Sequence, residues 1–339
     1  MEINGFEAVA SYGATEKEYL NLTSGAALID LSFRSRICLL GADREKFLHG
    51  QVTNEIARLH AGQGVYAALV TAKGKLQTDL YVYKLAEELL LDLEPGLTPA
   101  VIQRLEKYII ADDVQIVDVA PHYGLLSVQG PRAVEALHAT AIVPELPGTP
   151  LSWVKTTVPG GDLYVMNNPR FGTGGFDLFV PNSSLDEAAT KLAAHTPLAG
   201  LDACEIARIE NAIPRFGIDM DETNLAPEAL DEGAISYAKG CYIGQEVIAR
   251  IRTYGQVAKA LRLLRLPSEL PTLPAPGEKL FKEGKEVGYI TSSTLSPKHG
   301  AKVALAYVRK EANAVGEKLH LGATDGGQAQ IVGVPTKVN

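Results

Sequence analysis

Short apolar runs alternate along the chain with segments in which apolar residues recur at helical spacing. The runs in the first hundred residues are rich in Val, Leu and Tyr and are bounded by turn residues, which is typical of strands. They predict strands at 35–40, 65–70, 76–85 and 88–93. Helical periodicity follows Asp43, a possible N-cap, and Thr98, which can cap a helix with Pro99 at its first position.

The strand, strand, helix order recurs at 114–139, and this mixture favours an α+β fold with antiparallel sheets and helices packed on one face. Two proline-rich segments, 143–150 and 267–278, interrupt the pattern, because neither a helix nor a central strand tolerates so many prolines. We expect loops or linkers there. Beyond residue 278, short strands at regular intervals indicate a small barrel or sandwich.

Composition and charge limit the class of protein. The 339 residues are 46% hydrophobic and 21% charged, which excludes wholesale disorder, collagen and coiled coil. Residues 1–255 carry 20 basic and 33 acidic side chains, whereas 256–339 carry 12 and 7, so we expect a boundary near 255. The acidic main body argues against a nucleic-acid binder, and the lack of a leader or a long apolar run predicts a cytoplasmic protein that binds no membrane.

The three cysteines, Cys38, Cys204 and Cys241, are too far apart to predict a disulfide or a stable metal site. Cys38 lies in an apolar strand pattern and Cys204 in a helical one, so we expect both in the core. A Gly-rich stretch at 172–175 resembles a dinucleotide fingerprint only weakly, because it precedes a strand instead of opening a helix.

The segment KGCYIGQE around Cys241 is the most unusual in the chain. Gly240 and Gly244 permit tight backbone geometry, and a helical pattern begins three residues after the thiol. A helix N-terminus, with Lys239 two positions away, favours a reactive thiolate. The alternative from the residues alone is a buried cysteine that packs as a small hydrophobe.

Two acidic residues, Asp79 and Glu210, adjoin apolar elements. A carboxylate can accept two parallel hydrogen bonds from the edge of a pterin or a guanine, so both are candidate ligand contacts. Surface solvation or a salt bridge is the alternative for each.

The motif resembles the signature of the YgfZ-like folate-binding proteins, which include a mitochondrial protein that helps to mature 4Fe–4S clusters. The resemblance extends to their relatives, the glycine-cleavage aminomethyltransferases, over nearly the whole chain. It rests on blocks in a shared order: LIDLSFRSRICLLGADREKFLHGQVTNEIARLHAGQGVYAALVTAKGKLQTDLYVY, LSVQGPRA, RFGTGGFDLFVP, GLDACEIARIENAIPRFGIDMDETNLAPEA and GKEVGYITSSTLSPKHGAKVALAYVR.

This resemblance implies a ring of two ferredoxin-like α+β modules around a central folate channel, with a C-terminal β-barrel. We therefore expect a folate-binding module at 1–145, a second module at 146–255 that ends in the motif, and a barrel at 256–339.

The resemblance also implies roles for individual residues. Glu210 matches the acid that grips the pterin ring, and Asp79 matches the catalytic aspartate of the aminomethyltransferases. Glu94, followed by Pro95, stands where those enzymes have an asparagine that contacts folate. The other residues expected in the folate site are Phe171, which replaces a tyrosine, Gly172, Thr173, Gly174 and Phe176. The residues expected in the cysteine motif are Lys239, Gly240, Cys241, Tyr242, Gly244, Gln245 and Glu246.

Three functions follow from the resemblance. The first is a tetrahydrofolate-binding accessory protein for assembly or repair of iron–sulfur clusters, with Cys241 as its working thiol. Its expected partners are A-type cluster carriers or cluster-dependent enzymes, including radical enzymes that modify tRNA. The alternatives are a glycine-cleavage-type aminomethyltransferase that uses tetrahydrofolate, with Asp79 as its catalytic group, and a folate-sensing binding module.

Overall fold

Residues 2–255 and 257–335 are described by a computed structural model. The strands, in chain order, are β1 (Glu2–Ile3), β2 (Phe6–Glu7), β3 (Ala27–Asp30), β4 (Ser35–Leu40), β5 (Gln63–Val70), β6 (Leu76–Lys84), β7 (Leu89–Leu93), β8 (Gln115–Asp118), β9 (Tyr123–Gln129), β10 (Trp153–Val158), β11 (Gly161–Asn167), β12 (Gly175–Pro181), β13 (Lys259–Arg265), β14 (Lys279–Lys282), β15 (Lys285–Ser296), β16 (Ala301–Arg309), β17 (Lys318–Leu321) and β18 (Gln328–Gly333). The α-helices are α1 (Thr15–Ser24), α2 (Arg44–Gln51), α3 (Thr98–Glu106), α4 (Ala133–Thr140), α5 (Asn182–Ala193), α6 (Leu201–Glu210), α7 (Ala226–Ala229) and α8 (Gln245–Tyr254).

The described strands form two antiparallel five-stranded sheets, a closed six-stranded barrel and a two-stranded sheet of β1 and β2. Sheet one has the order β5-β6-β7-β4-β8, and sheet two has the order β10-β11-β12-β9-β3. The barrel closes in the order β13-β16-β15-β14-β17-β18. The α+β fold with a C-terminal barrel, predicted from the sequence, is therefore confirmed.

Each sheet has one face covered by helices and one face turned toward the centre of the molecule. The outer face of sheet one packs under α2 and α3 through residues such as Phe47, Leu48 and Val101. α4 and α5 cover sheet two in the same way. On the inner faces, the ring of Tyr83 from β6 lies 6.4 Å from that of Phe179 on β12, so the two sheets share a core.

Three details differ from the sequence-based expectations. Sheet two contains β3 and β9, which precede residue 145, so the boundary expected there runs between strands of one sheet. Thr98 does not cap α3, because Leu97 occupies the N-cap position and Thr98 is already helical. Asp43 does occupy the N-cap of α2, but its carboxylate accepts from the backbone N–H of Asp113 and not from the helix.

The cross-strand register of sheet one arranges polar side chains in a row on its inner face. Tyr66 pairs with Tyr81, Tyr81 with Asp92, and Asp92 with Arg36. Because side chains alternate between the two faces of a strand, Asp79 lies on the same face as Tyr81. This row forms one wall of the site. None of the described helices is long and apolar enough to cross a lipid bilayer.

Candidate functional site

A cleft lies between the inner face of sheet one, α6 and the loops that follow α6. It encloses about 900 Å³, including its open mouth. Four aromatic rings line it, those of Phe33, Tyr66, Tyr81 and Phe171. Such walls suit a flat ligand, since aromatic rings pack well against each other in offset or tilted arrangements. Tyr66 and Tyr81 already do so, with centroids 5.1 Å apart and planes tilted by 41°.

Asp79 places a carboxylate in this cleft. Its Oδ2 accepts a hydrogen bond of 2.7 Å from the Tyr66 hydroxyl, whereas its Oδ1 is buried and accepts none from the part of the chain that the structure describes. Burial, with the negative charge of Glu94 nearby, raises the pKa of Asp79 to about 6. A buried oxygen without a partner is costly, and a carboxyl whose pKa approaches neutrality suits proton transfer. Asp79 is therefore the strongest candidate for chemistry in the cleft.

A chain of alternating charges runs along the cleft and begins at Asp177 on β12. Arg170 binds Asp177 through its Nε and Nη2 at 3.0 and 2.8 Å, and its Nη2 also binds Asp92 on β7. Arg34 binds the other oxygen of Asp92 at 2.8 Å and continues to Glu94. These contacts tie sheet two to sheet one.

From Glu94 the chain of charges continues to the barrel. Arg215 pairs with Glu94 at 2.9 Å and with Glu205 on α6 at 2.8 Å. Arg208 on the same helix bonds to Glu205 at 2.7 Å and reaches Asp219. Asp219 in turn accepts from the hydroxyls of Thr291 and Ser292 on β15, which carries the connection into the barrel.

Burial and pairing with arginine shift the pKa values of these carboxyl groups in opposite directions. Burial disfavours the charged form of Asp92, but Arg170 and Arg34 together hold the pKa of Asp92 below its usual value. At Asp177, burial outweighs the attraction of Arg170 and raises the pKa. The pKa of Asp92 is therefore lowered because two guanidinium groups bind it, whereas one binds Asp177.

Only one of the five expected residues from the 171–176 block lines the cleft in the described chain. Phe171 does so, and its carbonyl accepts from the side-chain amide of Asn211. Gly172, Thr173 and Gly174 form the turn before β12, outside the residues that line the cleft. Phe176 packs in the core on the outer face of sheet two, because alternation along β12 turns it away from Asp177.

Glu210 lies away from the lining of the cleft, and its carboxylate bonds within the protein. Tyr19 donates to Oε2 at 2.7 Å, while the Ser296 hydroxyl and the Lys298 N–H donate to Oε1. The side chain is 2% exposed and joins α1, α6 and the barrel. Glu205, in the middle of α6, is the α6 glutamate that lines the cleft. No sequence pattern indicated a role in the cleft for Glu205, Tyr66, Arg34 or Arg170.

The cysteine motif forms a turn outside the cleft. Cys241 is exposed and precedes α8, whose N-cap is Gly244. Gly244 has φ +84°, and a Cβ there would lie 2.5 Å from the Thr71 carbonyl, so this position requires glycine. Tyr242 is buried, whereas Gln245 starts α8 and Glu246 pairs with Arg250 on the helix surface.

Lys239 has a role that the sequence did not indicate. Its ammonium is buried and donates to three backbone carbonyls, those of His49 at 2.6 Å, Val52 at 2.8 Å and Asn54 at 2.6 Å. Burial lowers the pKa of Lys239 to about 8. The ammonium anchors the turn to the 49–54 segment, so it is not a free positive charge beside the thiol as expected.

Cys38 and Cys204 are each 3% exposed, as expected for core residues, and burial raises the pKa of both thiols. Cys204 nevertheless borders the cleft. Within the described residues, no group of three or more His, Cys, Asp or Glu side chains is arranged to hold a metal ion.

Comparisons with known proteins find two family models and several related proteins that match this chain. A family model described as the GCVT N-terminal domain matches residues 1–239, and one described as the glycine cleavage T-protein C-terminal barrel domain matches residues 259–336. A putative chloroplastic transferase of Arabidopsis thaliana is 30% identical over 304 residues, which cover 88% of this chain and 69% of that protein. An aminomethyltransferase of a Nostoc species is 26% identical over 326 residues, covering 94% and 86%.

The fold has a close counterpart among solved structures. The crystal structure of glycine cleavage system aminomethyltransferase T from Bartonella henselae superposes with a TM-score of 0.89. The superposition covers 99% of this chain and 93% of the other, at 21% sequence identity. At that identity the likeness establishes a shared fold.

The chain of charges predicts a large effect of Asp92→Asn on stability. The amide keeps the shape of the side chain but leaves Arg34 and Arg170 with one buried negative charge fewer, so the free energy of unfolding should fall by about 3–5 kcal/mol. Because the pKa of Asp92 is held below its value of about 3.9 in unfolded chains, the loss should be present above pH 4 and shrink at lower pH. Urea unfolding measures it.

The matched control is Asp186→Asn on the exposed surface of α5, which should leave the unfolding free energy nearly unchanged. A loss below about 1 kcal/mol for Asp92→Asn would show that the chain of charges does not hold the sheets together.

Proposed function

The chain belongs to the glycine cleavage T-protein family, and from this premise we propose that it is a tetrahydrofolate-dependent one-carbon transferase of the aminomethyltransferase type. The observation that carries the proposal is Asp79, which presents a buried, unpartnered carboxylate oxygen among aromatic rings. In the proposed reaction, a methylene passes from a lipoyl-bound aminomethyl group to tetrahydrofolate, with release of ammonia and a free lipoyl thiol.

The residues of the cleft fit a reduced folate. A reduced pterin is broadly flat and carries N–H donors, including the amine that reacts, so it needs aromatic neighbours and an acceptor at that amine. The Tyr66, Tyr81 and Phe171 rings supply the first, and Asp79 Oδ1 supplies the second. Glu94 and Glu205 are less available to a ligand, since each already bonds to two guanidinium groups.

Asp79 would act at the reacting amine. The Tyr66 hydroxyl occupies Oδ2 and fixes the carboxylate, which leaves Oδ1 free to attract a proton. A proton acceptor works best when its pKa lies near the operating pH, and a pKa of about 6 leaves Asp79 mostly ionised at neutrality. Tyr66 is a positioning residue in this proposal.

We expect Asp79→Asn to lower kcat by about 100- to 10,000-fold, the usual contribution of a positioned acid or base. Ammonia release from an aminomethylated lipoyl carrier protein, in the presence of tetrahydrofolate, measures it. Calorimetry with tetrahydrofolate is the companion measurement. Tight folate binding by the parent protein without any turnover would reject the transferase and leave a binding protein.

Tyr66→Phe tests whether the hydrogen bond from Tyr66 sets the pKa of Asp79. Activity should fall as the pH drops through about 6, because Asp79 must be ionised to accept a proton. The Tyr66 hydrogen bond favours the ionised form, so its removal should move this acid limb upward by about one pH unit. The control is Tyr81→Phe, which removes a hydroxyl from the adjacent ring and should leave the acid limb of the kcat/KM profile at the parent's pH.

A second candidate is an accessory role in the assembly or repair of 4Fe–4S clusters, for which the exposed Cys241 is the supporting observation. The thiol stands at the surface on an anchored turn, where a partner protein such as a cluster carrier could reach it. It is separate from the lining of the described cleft, so it would act by contact with a partner and not on folate.

The accessory role predicts that Cys241→Ser fails to restore 4Fe–4S enzyme activities in a deletion strain while the purified variant keeps its folate affinity. The matched control is Cys204→Ser, which changes a buried thiol. Full complementation by Cys241→Ser would reject this role and would leave the transferase proposal untouched.

A further inference from the structure

A second cavity lies between the inner faces of the two sheets, at the end away from Asp79. It encloses about 340 Å³, including its open mouth. Arg36 and Cys38 on β4 line it together with Glu88, which precedes β7, and Tyr123 and Tyr164 come from sheet two. The proposed one-carbon chemistry uses none of these residues.

Arg36 is a buried cation whose donors are only partly used. It is 1% exposed, and its Nη2 donates to the carbonyls of Ser32, Ala120 and Tyr123 at 3.1, 3.3 and 2.6 Å. Its Nε and Nη1 are equally buried and donate to no atom of residues 2–255 or 257–335. Burial lowers the pKa of Arg36 to about 10, which reflects a positive charge that the surroundings do not neutralise fully.

Glu88 provides the opposite charge in the same cavity. Burial, with the negative charge of Glu88 nearby, raises the pKa of the Cys38 thiol, and the described residues contain no ion pair between Glu88 and Arg36. The aromatic wall is continuous, with the Tyr123 and Tyr164 centroids 6.4 Å apart. Burial raises the pKa of Tyr164 to about 12, so this hydroxyl remains a neutral donor.

We propose that this cavity binds a small zwitterion of the amino-acid type, with its carboxylate on Arg36 and its ammonium on Glu88. One positive and one negative group in a small aromatic pocket match a ligand that carries both charges and no net charge. A simple anion would satisfy Arg36 but would face the Glu88 carboxylate. A simple cation would pair with Glu88 but would face the Arg36 guanidinium.

Trp153 supplies a direct readout. It is the one tryptophan of the sequence, and its ring lies 5.5 Å from that of Tyr164. Tryptophan fluorescence of the full chain, backed by calorimetry, is titrated with glycine, acetate and methylamine. Glycine should bind saturably and at least tenfold more tightly than either single-charge probe.

Glu88→Gln is the decisive variant, and Glu87→Gln, at the exposed neighbouring position, is its matched control. The first should weaken glycine at least tenfold and leave acetate no weaker, whereas the second should change neither. Arg36→Met should abolish binding of glycine and acetate, but it also removes three hydrogen bonds to carbonyls, so the test does not rest on its folding. Equal binding of glycine and acetate, indifference to Glu88→Gln, or no binding by either readout would overturn the proposal.

Discussion

The alternating chain of buried charges is the interaction on which the rest of the structure depends. It begins at Asp177 in sheet two, crosses sheet one at Asp92, passes along α6 and ends at Asp219 against the barrel. Each internal member touches two partners of opposite sign, so removal of one member leaves two charges uncompensated in a largely buried setting. The geometry of this chain of charges therefore sets how the two sheets, α6 and the barrel pack together. The cleft is the space enclosed between them.

Asp79 differs from the carboxylates of that chain because no cation of the described residues pairs with it directly. Arg170 and Arg34 hold the pKa of Asp92 low, whereas at Asp79 burial and the negative Glu94 outweigh the Tyr66 hydrogen bond and the more distant charge of Arg34. Two carboxylates in one sheet are thereby driven toward different tasks. The paired one stabilises the assembly of sheets, and the unpaired one is available for proton transfer in the cleft.

The two features that the resemblance joined, the folate site and the reactive cysteine, occupy different places. Asp79 lies inside the cleft, while Cys241 stands on an outer turn that Lys239 ties to the 49–54 segment. The proposed transferase and accessory roles would therefore use different surfaces. Separate variants can test them, since a change at one surface leaves the contacts of the other intact.

The sequence by itself determined the local elements, because strand alternation, helical periodicity and proline-rich breaks act over a few residues. It predicted β4 to β7, the loop at 143–150, the barrel, and the burial of Cys38 and Cys204. It could not decide that Glu210 bonds to Tyr19 and Ser296 while Glu205 faces the cleft, or that Lys239 binds carbonyls near residue 50. Those outcomes depend on partners that are up to 191 residues apart in the chain, and only the packing of sheets, helix and barrel brings their charges and donors within hydrogen-bonding distance.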